Sequence, residues 1–386
     1  MMRRPALLGA SLLATFAITA CQDQVTQPIA PTVRDRATAT LQAGTPEAGP
    51  DRSQLTLPAF GTVRDLPVVD VAARAINPTD YACSSDSPIN GWLDDAIVNS
   101  LTVERSRFLT AYNLLADLIP TYEALFFQSS ATPQSFGIDG AHTKTIVKAE
   151  RDLKRFWDIP SSDIQVVAMH GDVLVDTLRT AATYRLLGVG AAQARTYART
   201  LRSAIVGSQT MVNGNHPLFT FNAVAFTTFG GPFADKIVMG DGILAGYDAL
   251  GFGDVAPLAI FAHEFAHHVQ FEKGYGLSGP GVTPAEETRF GELSADAMAA
   301  YYLTHSRGAT LNQKRVAQFL EVFYQIGDCG FASEGHHGTP NQRLAAARFG
   351  FALADGAQKQ GHIMSPDQVH AEFLKAFPGL VAPDAR

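Results

Sequence analysis

The residues best suited to chemistry are His263-Glu264-Phe265-Ala266-His267. They lie inside an apolar run, Ala256 to Gln270, whose composition predicts a buried helix. On a helix, residues four apart share a face, so the two imidazoles can grip one zinc ion. Glu264 follows the first histidine directly and is placed to act as general base toward a water that the metal activates. Burying ionisable groups in so apolar a helix is costly unless they are paired or bound to metal.

A catalytic zinc takes three protein ligands and keeps one position for water. The third is expected within Gly291-Glu292-Leu293-Ser294-Ala295-Asp296. Glu292 and Asp296 are four apart and share one face of a second helical pattern. Glu292 is the expected ligand. Asp296 is the expected acceptor for the outer N–H of a ligand imidazole. A solvated acidic stripe is the alternative, but Phe290, Leu293, Met298, Tyr301 and Tyr302 make the surroundings apolar. Glu286 and Glu287 rank below Glu292 because they precede the most regular part of that helix. His268 points about 100° away from His267 around the helix axis, so packing or hydrogen bonding is expected of it.

The elements that must position these groups are mostly helical. Candidate helices are Leu93 to Phe127, ended or kinked at Pro120, then Thr143 to Trp157 and Ala191 to Val206. Asp163 to Leu187 mixes β-branched and helical character. Later candidates are Ala285 to Thr304, Asn312 to Ile326, Pro340 to Phe351 and Ser365 to Phe377. Two strands are expected, Leu218 to Thr228 and Lys236 to Met239, the second stopped by Gly240-Asp241-Gly242. Leu66 to Val71 reads as a further short strand. The expected fold class is therefore mainly α with a small β-sheet.

The HExxH and ExxxD stretches together resemble the gluzincin group of zinc metallopeptidases. The fuller string His263 to Gln270, with Glu292 to Asp296, is similar to bacterial neutral zinc metallopeptidases and M48-like peptidases. The resemblance covers roughly Asn222 to Phe351 and implies a zincin-like fold. It implies that His263, His267 and Glu292 bind one Zn²⁺, that Glu264 is the general base, and that Asp296 orients His263. Asn222-Ala223-Val224-Ala225 resembles the edge strand that binds an extended peptide in these enzymes, with Asn222 and Ala223 at the substrate backbone; a plain core strand is the alternative. His336-His337-Gly338-Thr339-Pro340 resembles their late histidine loop. His337 is the better match for an oxyanion stabiliser, with His336 as rival. Arg343 is placed to hold that loop through a carboxylate. Tyr301 or Tyr302 is a further candidate, with packing as the competing role.

The chain start reads as an address. Arg3 and Arg4 precede an apolar stretch from Pro5 to Ile18, and Ile18-Thr19-Ala20-Cys21 resembles a bacterial lipobox. Residues 1–20 are then a signal peptide and Cys21 the lipidated first residue, with ordinary cleavage nearby as the alternative. Gln22 after the cysteine resembles outer-membrane sorting in a Gram-negative host. Residues 21–53 read as a flexible tether, 54–215 as a mainly helical region and 216–386 as the catalytic region. Loss of Arg3 and Arg4 leaves 28 basic against 37 acidic residues, a net charge of −9. With no long basic block, nucleic acid is not an expected partner. Cys83 and Cys329 remain after export. An oxidising compartment permits a bridge between them, but their spacing leaves two separate thiols open.

The expected function is a lipid-anchored zinc endopeptidase of the cell envelope acting on a peptide or protein. The alternatives are an amidase acting on peptidoglycan peptides and a non-catalytic scaffold stabilised by zinc.

Overall fold

A computed structural model describes residues 83–84, 86–100, 118–227, 233–277, 282–330 and 335–383. The signal peptide, Cys21, the tether and the strand expected at 66–71 lie outside these residues. Helices α1 (Pro88–Ser100), α2 (Leu118–Phe127) and α3 (Thr143–Phe156) precede strand β1 (Gln165–Met169). Helices α4 (Thr177–Leu186) and α5 (Ala191–Ile205) follow, then strands β2 (Ala223–Phe226) and β3 (Lys236–Gly240). The remainder is helical: α6 (Asp241–Ala249), α7 (Ala256–Lys273), α8 (Pro284–Thr304), α9 (Gln313–Gln325), α10 (Pro340–Gln360) and α11 (Pro366–Leu380). The described chain is thus mainly α with one small sheet. No helix among the described residues is long and apolar enough to cross a membrane.

The sheet has three strands in the order β1-β3-β2. β1 runs parallel to β3, with Gln165 opposite Lys236 and Met169 opposite Gly240. β2 runs antiparallel to β3, with Ala223 opposite Met239. The mixed character of residues 163–187 resolves into β1, a 3-10 turn at Gly171–Val175 and α4. The strand expected from Leu218 to Thr228 shortens to β2, because Pro217–Phe219 forms a 3-10 turn instead. Lys236 ties the sheet to α2. Its buried ammonium donates to the Leu125 and Gln128 carbonyls at 2.6 Å each, satisfying acceptors at the end of α2.

Pro120 acts differently from expectation: α2 runs on past it to Phe127, so the helix does not end there. Gly240-Asp241-Gly242 does end β3, but the chain passes straight into α6. Gly242 is needed there for close approach: a Cβ would lie 2.1 Å from the Pro217 carbonyl oxygen. Asp241 adds a negative charge to the α6 N-terminus and pairs with His170 at 2.7 Å.

The main core gathers α3, β1, β3, α8 and α9 around α7. Val166 and Ala168 share it with Ile237, Ile260, Phe261, Phe265, Ala299 and Phe323. A smaller cluster within residues 118–219 includes Ile119, Tyr184, Leu201 and Phe219. α7 has almost no exposed face, which explains why it carries apolar residues all round. α10 crosses α8 at close range. At the crossing, a Cβ on Gly350 would lie 2.1 Å from the Ala297 carbonyl oxygen. That contact brings the start of α10, with Arg343, against the acidic pair of α8.

Candidate metal centre

Each ligand candidate arrives on a buried helix. α7 begins with Pro257 in its first turn and ends at Gly274 in the left-handed conformation. α8 begins with a capping box in which Thr283 and Glu286 satisfy each other's backbone N–H groups. Glu286 is therefore committed to the helix start, which removes one rival ligand. Glu292 and Asp296 follow on the buried length of α8.

The geometry converges on two imidazole nitrogens and one carboxylate. His263 Nε2 lies 3.1 Å from His267 Nε2. It lies 3.2 Å from Glu292 Oε2, and His267 Nε2 lies 3.4 Å from Glu292 Oε1. Four-coordinate zinc with ligands at its usual 2.0–2.2 Å spaces them by about 3.3 Å, so the observed triangle has the right size. His263, His267 and Glu292 form the described group able to hold a metal ion. Two imidazole nitrogens and a carboxylate this close together could share one metal ion. Glu264 adds a second sign of a ligand-dependent site, because its buried Oε1 has no hydrogen-bond partner.

The outer contacts are equally specific. His263 Nδ1 faces Asp296 Oδ1 at 2.9 Å. Arg343, fully buried, forks onto the same carboxylate: Nε donates to Oδ2 at 2.7 Å and Nη2 to Oδ1 at 2.8 Å. Its Nη1 also lies 3.2 Å from Glu292 Oε2. Arg343 therefore holds the carboxylate that faces His263, on α8, whereas the carboxylate on the histidine loop is that of Asp328. Burial pushes the His263 imidazole down in pKa, but Asp296 and Glu292 outweigh it and raise it to about 9. Burial pushes Glu292 up, yet the charge of His337 and the hydrogen bonds of His263 and His267 hold it well below the usual carboxylate range. Without a metal, the cluster keeps its anions balanced by protons on histidine.

The late histidine pair is organised by Asp328. Its Oδ1 lies 2.7 Å from His336 Nδ1, and its Oδ2 accepts the backbone N–H of His337 at 2.7 Å. His337 Nε2 then faces Glu292 Oε1 at 3.9 Å, so His337 turns toward the ligand triangle. Burial disfavours both charged partners. The carboxylates of Glu292 and Asp328 nevertheless raise the His337 pKa, and the two histidines lower that of Asp328. Sequence reasoning missed Asp328. Its one available signal was the adjacent Cys329, which forms a disulfide with Cys83. That bridge settles the open choice for the two cysteines and clamps the segment that carries Asp328.

His268 takes the hydrogen-bonding role expected of it, with Nε2 2.9 Å from the Lys236 carbonyl oxygen. Asn222 is buried just before β2, and its carbonyl accepts the Gly240 N–H at 3.0 Å. Ala223 opens β2, one of the two edge strands of the sheet, and all four β2 residues are buried. Tyr301 and Tyr302 are buried in the core, where the Tyr301 hydroxyl accepts the Met364 N–H.

The bridge carries a stability prediction. Cys83 and Cys329 are 246 residues apart, so the crosslink restrains a long loop of the unfolded chain. Removing it with Cys83→Ser and Cys329→Ser is expected to cost about 2–5 kcal/mol. Denaturant unfolding of the two forms measures this; coincident transitions would show that the bridge constrains nothing.

No protein-family model, curated protein or solved structure matches the chain.

Proposed function

We propose that this chain is a zinc-dependent endopeptidase with a gluzincin-type site on a zincin-like fold. The observation that carries the reading is the convergence of His263, His267 and Glu292 beside a buried glutamate that is not one of the three ligands. Zinc is the metal that suits two imidazoles and one carboxylate, and when bound it lowers the pKa of water and polarises a carbonyl. Glu264 accepts the proton of the attacking water and returns it to the departing amine. Asp296, charged and forked by Arg343, holds the His263 ring in place. His337, oriented by Asp328, donates toward negative charge developing on the carbonyl oxygen. Asn222 and Ala223 would meet an extended peptide at the β2 edge of the sheet, whereas the burial of all four β2 residues favours the plain core strand.

A second reading is favoured by one observation. His263, Glu264 and Glu292 are at most 2% exposed and His267 is 5% exposed, as in a structural metal centre. A structural centre needs no general base, and Glu264 is the residue it leaves unexplained. Metal analysis of the purified protein, followed by incubation with an unbiased peptide library, tests both readings. Bound zinc with cleaved peptides supports the endopeptidase. Bound zinc with an untouched library supports the scaffold.

The chain is further proposed to be an exported lipoprotein, anchored through Cys21 in the outer membrane. The Cys83–Cys329 bridge supports an oxidising compartment. Cys21→Ala is expected to move the protein from the membrane to the soluble fraction. An unchanged distribution would remove the anchor from the proposal.

A further inference from the structure

The two histidines of the centre have unlike outer partners. His263 faces the Asp296 carboxylate. His267 Nδ1 instead lies 2.9 Å from Gln270 Oε1, a neutral amide one turn along the same helix. The other end of that amide decides its orientation. Gln270 Nε2 lies 2.7 Å from the Gly291 carbonyl oxygen, which can only accept, so the nitrogen must face Gly291 and the oxygen must face the imidazole. His267 Nδ1 therefore carries the proton, and Nε2 presents its lone pair to Glu292 and His263. The Gln270 side chain is buried, and so is its contact with His267.

The second contact has its own consequence. Gly291 directly precedes Glu292 on α8. One side chain thus fixes the tautomer of one ligand and pins the backbone that delivers another.

We infer that Gln270 is a positioning residue of the metal centre, holding the His267 ring for coordination and coupling α7 to the backbone at Glu292. The inference rests on the metal-centre reading above. Residues that orient metal ligands typically change metal affinity by 10–100-fold when removed.

The test compares wild type, Gln270→Leu and Gln270→Glu as full-length protein. Zinc affinity is measured by competition with a chromogenic chelator, and ligand geometry by the visible absorption of the Co²⁺-loaded protein. Gln270→Leu keeps the size but neither hydrogen bond, and is expected to lose about 10–100-fold in zinc affinity with an altered cobalt spectrum. Gln270→Glu keeps the acceptor for His267 and loses the donor to Gly291. It is expected to keep wild-type affinity and spectrum while its metal-free form melts at a lower temperature. Wild-type affinity in Gln270→Leu would overturn the inference while leaving the centre intact. Equal losses in the two variants would reduce Gln270 to packing. No zinc binding by wild type would instead overturn the metal centre itself. Should Gln270→Leu fail to fold, Gln270→Glu still decides: wild-type affinity and spectrum support the acceptor role, and a 10-fold or greater loss overturns it.

Discussion

Glu264→Gln protein is expected to keep its zinc and to hydrolyse peptides about 10²–10⁴-fold more slowly than wild type. The amide has the size of the carboxylate and sits at the same place on α7, so the ligand triangle is undisturbed. Glu264 is not among the three ligand residues, so metal content should match wild type. What the substitution removes is basicity. An amide cannot take the proton of the attacking water, and the barrier rises by the whole contribution of that transfer.

The same variant carries a stability expectation of opposite sign. The Glu264 Oε1 atom is buried without a hydrogen-bond partner, which is unfavourable for an ionised group. Replacing the charge with a neutral amide should leave the melting temperature equal or raise it. Sites kept for activity at the expense of stability behave this way. The measurements are zinc content, peptide turnover and thermal unfolding on the same preparations. Equal turnover by wild type and variant would remove Glu264 from the reaction. Loss of zinc along with turnover would show that Glu264 belongs to the ligand set.

Much of this centre is readable from residue order because its parts repeat at helical spacing. His263 and His267 share a face of α7, as Glu292 and Asp296 do on α8, and each helix announces itself by its apolar surroundings. Contacts between elements are less legible. Gln270 reads as an ordinary polar residue near a helix end until the crossing of α7 and α8 puts the Gly291 carbonyl beside it. Asp328 precedes its two histidines by eight and nine residues, a spacing that no periodicity singles out. β1 is five residues long, and its pairing with β3 depends on a parallel partner distant in the chain. Gly240-Asp241-Gly242 does mark the end of β3, but the close approach of Pro217 to Gly242 is not recorded in residue order.

Arg343→Met is expected to destabilise the metal-free protein by about 3–5 kcal/mol, the usual cost of stripping a buried charge of its partner. Arg343 is fully buried and touches both carboxylates of α8, Asp296 through a two-point fork and Glu292 through Nη1. Methionine fills similar space but leaves both acids facing each other across His263. Lysine keeps the charge and loses the fork, so Arg343→Lys should fall between the two. Metal should then repair the damage selectively. A divalent cation at Glu292 supplies the positive charge that Arg343 no longer brings, so zinc should raise the stability of Arg343→Met by more than it raises wild type. Denaturant unfolding of both proteins, each with and without zinc, measures the four stabilities. A loss below about 1 kcal/mol, within the range of exposed ion pairs, would mean that Arg343 does not balance the buried acids. Equal zinc stabilisation of the two proteins would mean that its charge and the metal's act independently. A large loss that zinc reverses would tie together the three helices that meet here. α7 and α8 carry the proposed metal ligands, and α10 brings a positive charge to their buried acids.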